Sequence, residues 1–240
     1  MKFKLLTAIS LLLFQVLFSL AQSQPVATYS ATYSLEYKGR RAGEAEFSVR
    51  PESEAGVFSY RSHARLKGLL ARLAAPRPVV EHSLFTAAHG SFEPRSFRYE
   101  DGSRKGEDNY GLSFNGGNAT LELAAGAREI GFPPGALDRG TAQVRLAAAV
   151  AAGHIPATLE IIDDDGVETY AIETLGRANT PTGQGEIETM RVAQQRAGSS
   201  RRTVFWFAPA LDFVPVRIEQ MRDGQAETVF VLESIELDGQ

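Results

Sequence analysis

The chain has 240 residues with no cysteine, 25 Lys and Arg against 29 Asp and Glu, and a formal net charge of −4. A mildly acidic chain with scattered arginines does not suit a polyanionic partner, which argues against nucleic acid. Without cysteine there is no disulfide scaffold, no lipid-modified N-terminal cysteine and no Cys-based zinc site, so stability must come from an ordinary hydrophobic core.

The first residues read MKFKLLTAISLLLFQVLFSLAQSQ, with Lys2 and Lys4 ahead of an uncharged, mostly apolar run over residues 5–20 and then small residues. That is the order of a secretory signal, with cleavage after Ala21 or, as a second choice, at Ala21-Gln22-Ser23. A membrane anchor is the competing reading, since about 17 apolar residues is the short limit for a span. Gln15 inside the run and the adjoining cleavage site favour the signal. Residues 1–21 are therefore read as a signal peptide and residues 22–240 as a single mainly antiparallel β domain. Removing the leader leaves 23 basic against 29 acidic residues, a net charge of −6. No other long apolar stretch follows, so no membrane span is expected after signal removal. A periplasmic location is expected, and full secretion fits the same signal.

From Ala27 the apolar residues take every second position, Ala27, Tyr29, Ala31, Tyr33, Leu35 and Tyr37, the mark of a half-buried strand with an aromatic inner face. Lys38-Gly39-Arg40-Arg41 turns the chain into a partner strand carrying Ala45, Phe47 and Val49, and Phe58, Tyr60, Ser62, Ala64 and Leu66 extend the meander. Residues 67–75 break the alternation and predict one or two helical turns, stopped by Pro76 and Pro78. Strands resume at residues 79–85 and 97–99. After Asp101-Gly102, Tyr110, Leu112 and Phe114 alternate up to Asn115-Gly116-Gly117-Asn118, a hairpin signal because Asn and Gly tolerate positive φ. Ala119, Leu121 and Leu123 return.

One substantial helix is predicted over residues 136–152, with Asp138 or Thr141 as N-cap, Gly153 just past the end, and Leu137, Val144, Ala148 and Ala151 on one face. Strands follow at residues 157–162, 167–173, 186–195, 202–207, 214–222 and 227–237, the last two joined by Asp223-Gly224. In the aromatic stretch FWFAPALDFVPVRIE, Phe205, Trp206 and Phe207 end a strand, residues 208–213 cross over, and Pro215 opens the next strand, because proline cannot donate to an interior ladder. The total is roughly eleven strands and one helix at sandwich or barrel spacing. No fixed-period repeat points to a propeller or solenoid. The expected fold is mainly β: an antiparallel meander curled into an open or partial β-barrel, with the helix covering one side or plugging an end.

Chemistry-bearing motifs are sparse. His63, His82, His89 and His154 stand in no metal-ligand spacing, and no metal or cofactor is expected. His63 and His82 are placed on the inward phase as core or barrel-lining residues. No Gly-x-Ser-x-Gly elbow occurs. Asp163, Asp164, Asp165 and Glu168 lack the spacing of a calcium loop and read as a polar hairpin turn. Asn115-Gly116-Gly117-Asn118 lies between strands, so no helix N-terminus is offered to a phosphate.

The aromatics remain, most of them on the apolar phase and so in the core. If the sheet curls without closing, some line a concave apolar groove. The candidate ligand-binding residues are Tyr29, Tyr33, Tyr37, Tyr60, His82, Tyr99, Tyr110, Trp206 and Asp212, the last two at the rim or as a loop anchor. No catalytic residue is named.

The early YSLEYKGRRAGEAEF, the helix near ALDRGTAQVRLAAAV, the run TPTGQGEIETMRV, a strand ending in Trp206 and the late DFVPVRIEQMRDG occur in an order that resembles an exported bacterial family, domain of unknown function 3108. Its marks here are Gly39, Gly43, Asp212, Pro215-Val216, Arg217 and Asp223-Gly224, over about residues 29–237. Where such proteins often have Asp-Pro-Leu-Ser before the helix, this chain has Ala136-Leu137-Asp138-Arg139. The resemblance implies a periplasmic, mainly antiparallel β fold and no catalytic residues.

These features favour a non-enzymatic exported protein that holds a hydrophobic small molecule or lipid, or an envelope protein partner, on its concave face. The alternatives are a cell-envelope hydrolase using carboxylates such as Glu81, Asp101, Glu107 or Asp108, and a structural component of an envelope assembly.

Overall fold

The period-two stretches become strands, and the computed structural model, which describes residues 26–68 and 75–238, contains fifteen of them. The signal peptide expected at residues 1–21, and most of the helical turns expected at residues 67–75, lie outside the described residues. The first half is a meander: β1 (Tyr29–Tyr37), β2 (Arg40–Pro51), β3 (Val57–Leu66), β4 (Val79–Ala88), β5 (Ser91–Glu100), β6 (Tyr110–Asn115), β7 (Asn118–Leu123) and β8 (Gly126–Gly131). A two-residue strand β9 (Leu137–Asp138) leads into helix α1 (Arg139–Ala151). The second half is β10 (Thr158–Ile162), β11 (Val167–Thr182), β12 (Gly185–Arg196), β13 (Arg201–Ala208), β14 (Val214–Arg222) and β15 (Gln225–Leu237), with a 3-10 turn at Pro209–Leu211.

All strands join one sheet, ordered β8-β7-β6-β5-β4-β3-β2-β1-β15-β14-β13-β12-β11-β10-β9. The halves meet where β1 pairs antiparallel with β15, Tyr29 opposite Leu237 and Tyr37 opposite Thr228. The sheet is open, with β8 and β9 at its edges, yet it curls until the two ends touch through side chains. Arg128 Nη2 of β8 donates to the Asp164 carbonyl at 3.3 Å, and Ser83 Oγ of β4 donates to Asp138 Oδ1 of β9 at 2.5 Å.

Two of the fifteen strands, β8 and β9, were not placed by the alternation, and β11 was placed too short. β8, Gly-Ala-Arg-Glu-Ile-Gly, is an exposed edge that buries only Ile130, and β9 is too short to show a period. Elsewhere the rhythm stops while the strand does not: β11 was expected to end at residue 173 and runs through a bulge near Thr174 to Thr182, mostly exposed, so no buried face imposes a pattern.

The turn chemistry follows the sequence. Lys38-Gly39 and Asp223-Gly224 both hold positive φ, as two-residue hairpins require, and Gly43 sits where a Cβ would strike the backbone of Arg65 on β3. Pro215 opens β14 at a bulge opposite Phe207, and its carbonyl accepts from the Tyr33 hydroxyl at 2.8 Å.

The inner face of the curl is the core. Tyr33, Phe47 and Phe230 pack with ring centroids 4.7 and 5.3 Å apart, and Phe205 and Phe207 stack at 5.6 Å. Each such ring taken from water contributes roughly 1.5–3 kcal/mol before entropy is counted. α1 joins this core and does not merely lie on the sheet. Its buried residues are Gly140, Thr141, Ala142, Val144, Leu146 and Val150, a wider arc than the expected Val144/Ala148/Ala151 stripe, because the curl surrounds it on several sides. Asp138 is the N-cap, accepting from the Thr141 amide at 2.9 Å, and Gly153 follows the helix at φ 69°.

Candidate functional site

Antiparallel strands give the curl two rims, and α1 divides the space between them. One rim gathers the start of β1, the end of β2 and the start of β14; with α1 they enclose a cavity of 300 Å³ lined by Tyr29, Val49, Val144, Ala148, Asp212, Phe213 and Pro215. The other rim gathers the end of β1, the end of β3 and the start of β15, around a cleft of 800 Å³. Gln143 lines both.

The floor of the larger cleft is apolar because the inward phase of five strands meets there: Leu35 of β1, Phe47 of β2, Ala64 of β3, Ile218 of β14 and Phe230 of β15. Tyr60 sits at its inner end, fully buried, with its hydroxyl donating to Gln143 Oε1 at 3.3 Å. Burial, with the Glu81 carboxylate beside it, pushes that hydroxyl well above the ordinary phenol range, so it acts as a neutral hydrogen-bonding group.

One wall of the cleft is polar and centres on Arg139, the first residue of α1. Its guanidinium lies over Tyr99 at 4.8 Å and over Phe97 and Tyr110 at 5.6 Å each. Nη2 is 2.8 Å from Glu81 Oε1 but out of line for a hydrogen bond, so the contact is a charge contact. Burial works against the charge; Glu81, and after it Tyr110 and Tyr99, outweigh that and hold the guanidinium protonated. Asp163, from the β10–β11 turn, faces the same space, and burial raises its carboxyl above the ordinary Asp value, against the pull of Arg139. Arg196 bridges Asp165 at 3.3 Å and Glu168 at 3.4 Å at the rim.

The structure brings some of the sequence candidates together and separates others. Tyr37, Tyr60, Tyr99 and Tyr110 line the large cleft, Tyr29 and Asp212 the small cavity, and Tyr33 is buried between the two. His82 is on the other side of the wall. It pairs with exposed Arg61, while its neighbours Glu81 and Ser83 pair with Ser62 and Tyr60 on the inner face, and His63 shares the outward phase. The inward placement expected for both histidines is thus corrected: β4 carries its polar residues inward, toward Arg139 and Asp138. Burial, then Arg61, lowers the His82 pKa. Trp206 is half-buried at the margin of the core, opposite Arg191 and Arg217, whose guanidinium lies 5.6 Å from its ring, and it lines neither the large cleft nor the small cavity that holds Asp212.

Of the carboxylates considered for hydrolysis, Glu81 is tied to Arg139, and Asp101 organises the β5–β6 loop, accepting from the Ser103 amide at 2.8 Å. Arg139, Gln143 and Gln194 were missed by sequence reasoning. The signal was in Leu137-Asp138-Arg139, where the capping Asp fixes the following Arg at the inner wall.

Known proteins give the fold a context. A β-barrel-like protein of DUF1849 from Brucella abortus superposes with a TM-score of 0.56 at 11% identity, over 90% of this chain and 99% of that one, which shows a shared fold. The Pseudomonas aeruginosa MucA/MucB complex gives a TM-score of 0.38 at 11% identity, over 92% of this chain and 55% of that one, so this chain spans about half of that protein. A Bacteroides fragilis protein with a YmcC-like fold gives 0.37 at 11% identity, over 87% of this chain and 95% of that one. No curated protein matches the sequence. The model of the family described as protein of unknown function (DUF3108) matches residues 29–231, and the chain belongs to that family.

Proposed function

We propose that the mature protein is a single-domain, non-enzymatic periplasmic binding protein that holds a lipid-like molecule in the 800 Å³ cleft of its curled sheet. The observation that carries this reading is the cleft's construction: an inner floor of Leu35, Phe47, Ala64, Ile218 and Phe230 that stays open because α1 fills the opposite end of the curl. The volume lies within the range of small-molecule sites, roughly 300–1,000 Å³. An apolar chain laid on that floor would remove both surfaces from water at about 25 cal/mol per Å². The signal-like leader supports delivery to the periplasm, where such molecules are abundant.

The test is native mass spectrometry of protein taken from the periplasm, with fluorescence titration by N-phenyl-1-naphthylamine. A copurifying lipid, or saturable probe binding that Ala64→Trp weakens at least about tenfold by filling the floor (about 1.4 kcal/mol), is the expected outcome. Protein that carries no lipid and binds no probe overturns the reading.

A further inference from the structure

Most buried polar groups in a folded protein find a partner, because leaving one unpaired costs roughly 1–3 kcal/mol. Here the exceptions are concentrated. Of six such atoms among the described residues, five, Tyr110 Oη, Arg139 Nε and Nη2, Gln143 Nε2 and Gln194 Oε1, belong to four residues that line the large cleft; the sixth, Arg191 Nε, lies outside it. Tyr110 is only 4% exposed. They come from three separate elements, β6, α1 at two positions one turn apart, and β12, so the concentration belongs to the folded site and not to one local turn.

The unpaired set has a definite chemistry. Arg139 and Gln143 offer donors, Gln194 offers an acceptor, and the Tyr110 hydroxyl can act either way. A group that accepts only, such as a phosphate or carboxylate, would leave Gln194 Oε1 unanswered. Charge points the same way, since the cleft is lined by five arginines against six carboxylates, and Arg139 and Arg196 are already engaged by Glu81, Asp165 and Glu168. An added anion would meet Glu81 and Asp163 beside the very guanidinium that it needs.

We propose that Arg139, Tyr110, Gln143 and Gln194 form a headgroup site for an uncharged, hydroxyl-bearing amphiphile, an acylglycerol or glycolipid, whose chain lies on the apolar floor. This rests on the cleft being a lipid-like site and adds which class of lipid it takes. Hydroxyl groups both accept from Arg139 and Gln143 and donate to Gln194, and they leave the balanced charges of the wall undisturbed.

The experiment displaces bound N-phenyl-1-naphthylamine from the mature protein with 1-lauroylglycerol, dodecyl maltoside, laurate or dodecyl phosphate, each below its micelle concentration. One or both of the hydroxylated probes should bind at least about tenfold tighter than the two anions, a difference of about 1.4 kcal/mol. The maltoside and glycerol arms distinguish a sugar from a glycerol headgroup. Tyr110→Phe and Gln194→Met should each erase about threefold or more of that preference, read as the ratio of hydroxylated to anionic competitor affinities within each variant, with thermal unfolding checked to show that the variant is folded. Equal or tighter binding of laurate or dodecyl phosphate, or a preference untouched by both substitutions, overturns the headgroup assignment while the lipid reading stands. Failure of naphthylamine to bind the unaltered protein removes the lipid reading and this assignment together.

Discussion

Asp138 carries more of this structure than its place in a two-residue strand implies. Its carboxylate accepts from Ser83 Oγ at 2.5 Å, from the Thr141 amide at 2.9 Å and from Thr141 Oγ1 at 2.6 Å, so it caps α1 and pins the helix to β4 at once. Asp138→Ala should cost about 3 kcal/mol in urea unfolding, the sum of a lost cap and newly unpaired buried groups. Asp138→Asn, a good cap itself, should cost markedly less. Burial raises the Asp138 pKa against the pull of these hydrogen bonds, so the folded state holds the proton more tightly than the unfolded chain. That contribution is fully present below about pH 3.9 and is lost as pH rises through the raised value. The stability of the natural protein relative to Asp138→Asn should therefore improve as pH falls through this window; a pH-independent difference counts against it. Gly140 is a second residue of this kind, since a Cβ there would collide with Ser83 Oγ and the Tyr60 ring. Gly140→Ala should cost about 1–3 kcal/mol although alanine is the better helix former. At this scale the sequence was legible where a residue acts locally, as in the Asp138 cap or the Lys38-Gly39 turn. It was opaque at Gly140 and Arg139, whose neighbours arrive from β3 to β6. His82 shows why: in Val79-Val80-Glu81-His82-Ser83-Leu84-Phe85 both phases carry apolar residues, and the polar members of the inward phase serve the site.

Among the elements, the β11–β12 hairpin is the one whose length needs explaining. Its tip returns to β15 just beyond the last β14–β15 pair, Arg217 opposite Val231, where the Gly183 amide donates to the Leu232 carbonyl at 2.7 Å. A Cβ on Gly183 would lie 2.9 Å from the Glu233 Cα, so only glycine allows the contact. Farther down, the buried Thr180 and Thr189 hydroxyls bond each other at 2.8 Å. Gly183→Ala should undock the tip: amide exchange over residues 178–190 should quicken at least about tenfold, by analogy with losing one local contact worth about 1.4 kcal/mol, while exchange in β1 and β2 stays slow. Uniform acceleration across the protein would show that the tip has no independent docking. The sequence reading placed the end of β11 too early, at residue 173, since a strand exposed on both sides leaves little alternation to read. β8 escaped for the same reason. As an edge it is blunted by its shortness and by Arg128 and Glu129, which discourage pairing with another sheet.

For the molecule as a whole, the arrangement of strands inverts the usual relation between chain ends and fold periphery. β1 and β15 are adjacent at the middle of the sheet, and the true edges come from the middle of the chain. Ending the chain after Arg222 would remove a central strand and strip Phe230 and Leu232 from the core, so the truncated protein should fail to fold, read as loss of the β-sheet circular dichroism signal and of cooperative melting. A folded truncate would show that the first eight strands form a self-sufficient unit. The curled antiparallel wall was legible because alternation over β1 to β3 fixes which face is buried. Whether the interior is hollow was not, because that depends on where α1 comes to rest, and its Ala-rich sequence fits a surface helix equally well.

The β1–β15 seam also sets a clock. Contacts between residues some 200 positions apart, such as Tyr29 with Leu237, are among the slowest to form. During synthesis the inner flank of β1 waits for a neighbour that is made last, so the nascent chain stays threadable until its final strand emerges. An exported chain, as proposed above, would gain from that delay: it would still be slack when pulled through a narrow pore, and would lock only once its tail had arrived.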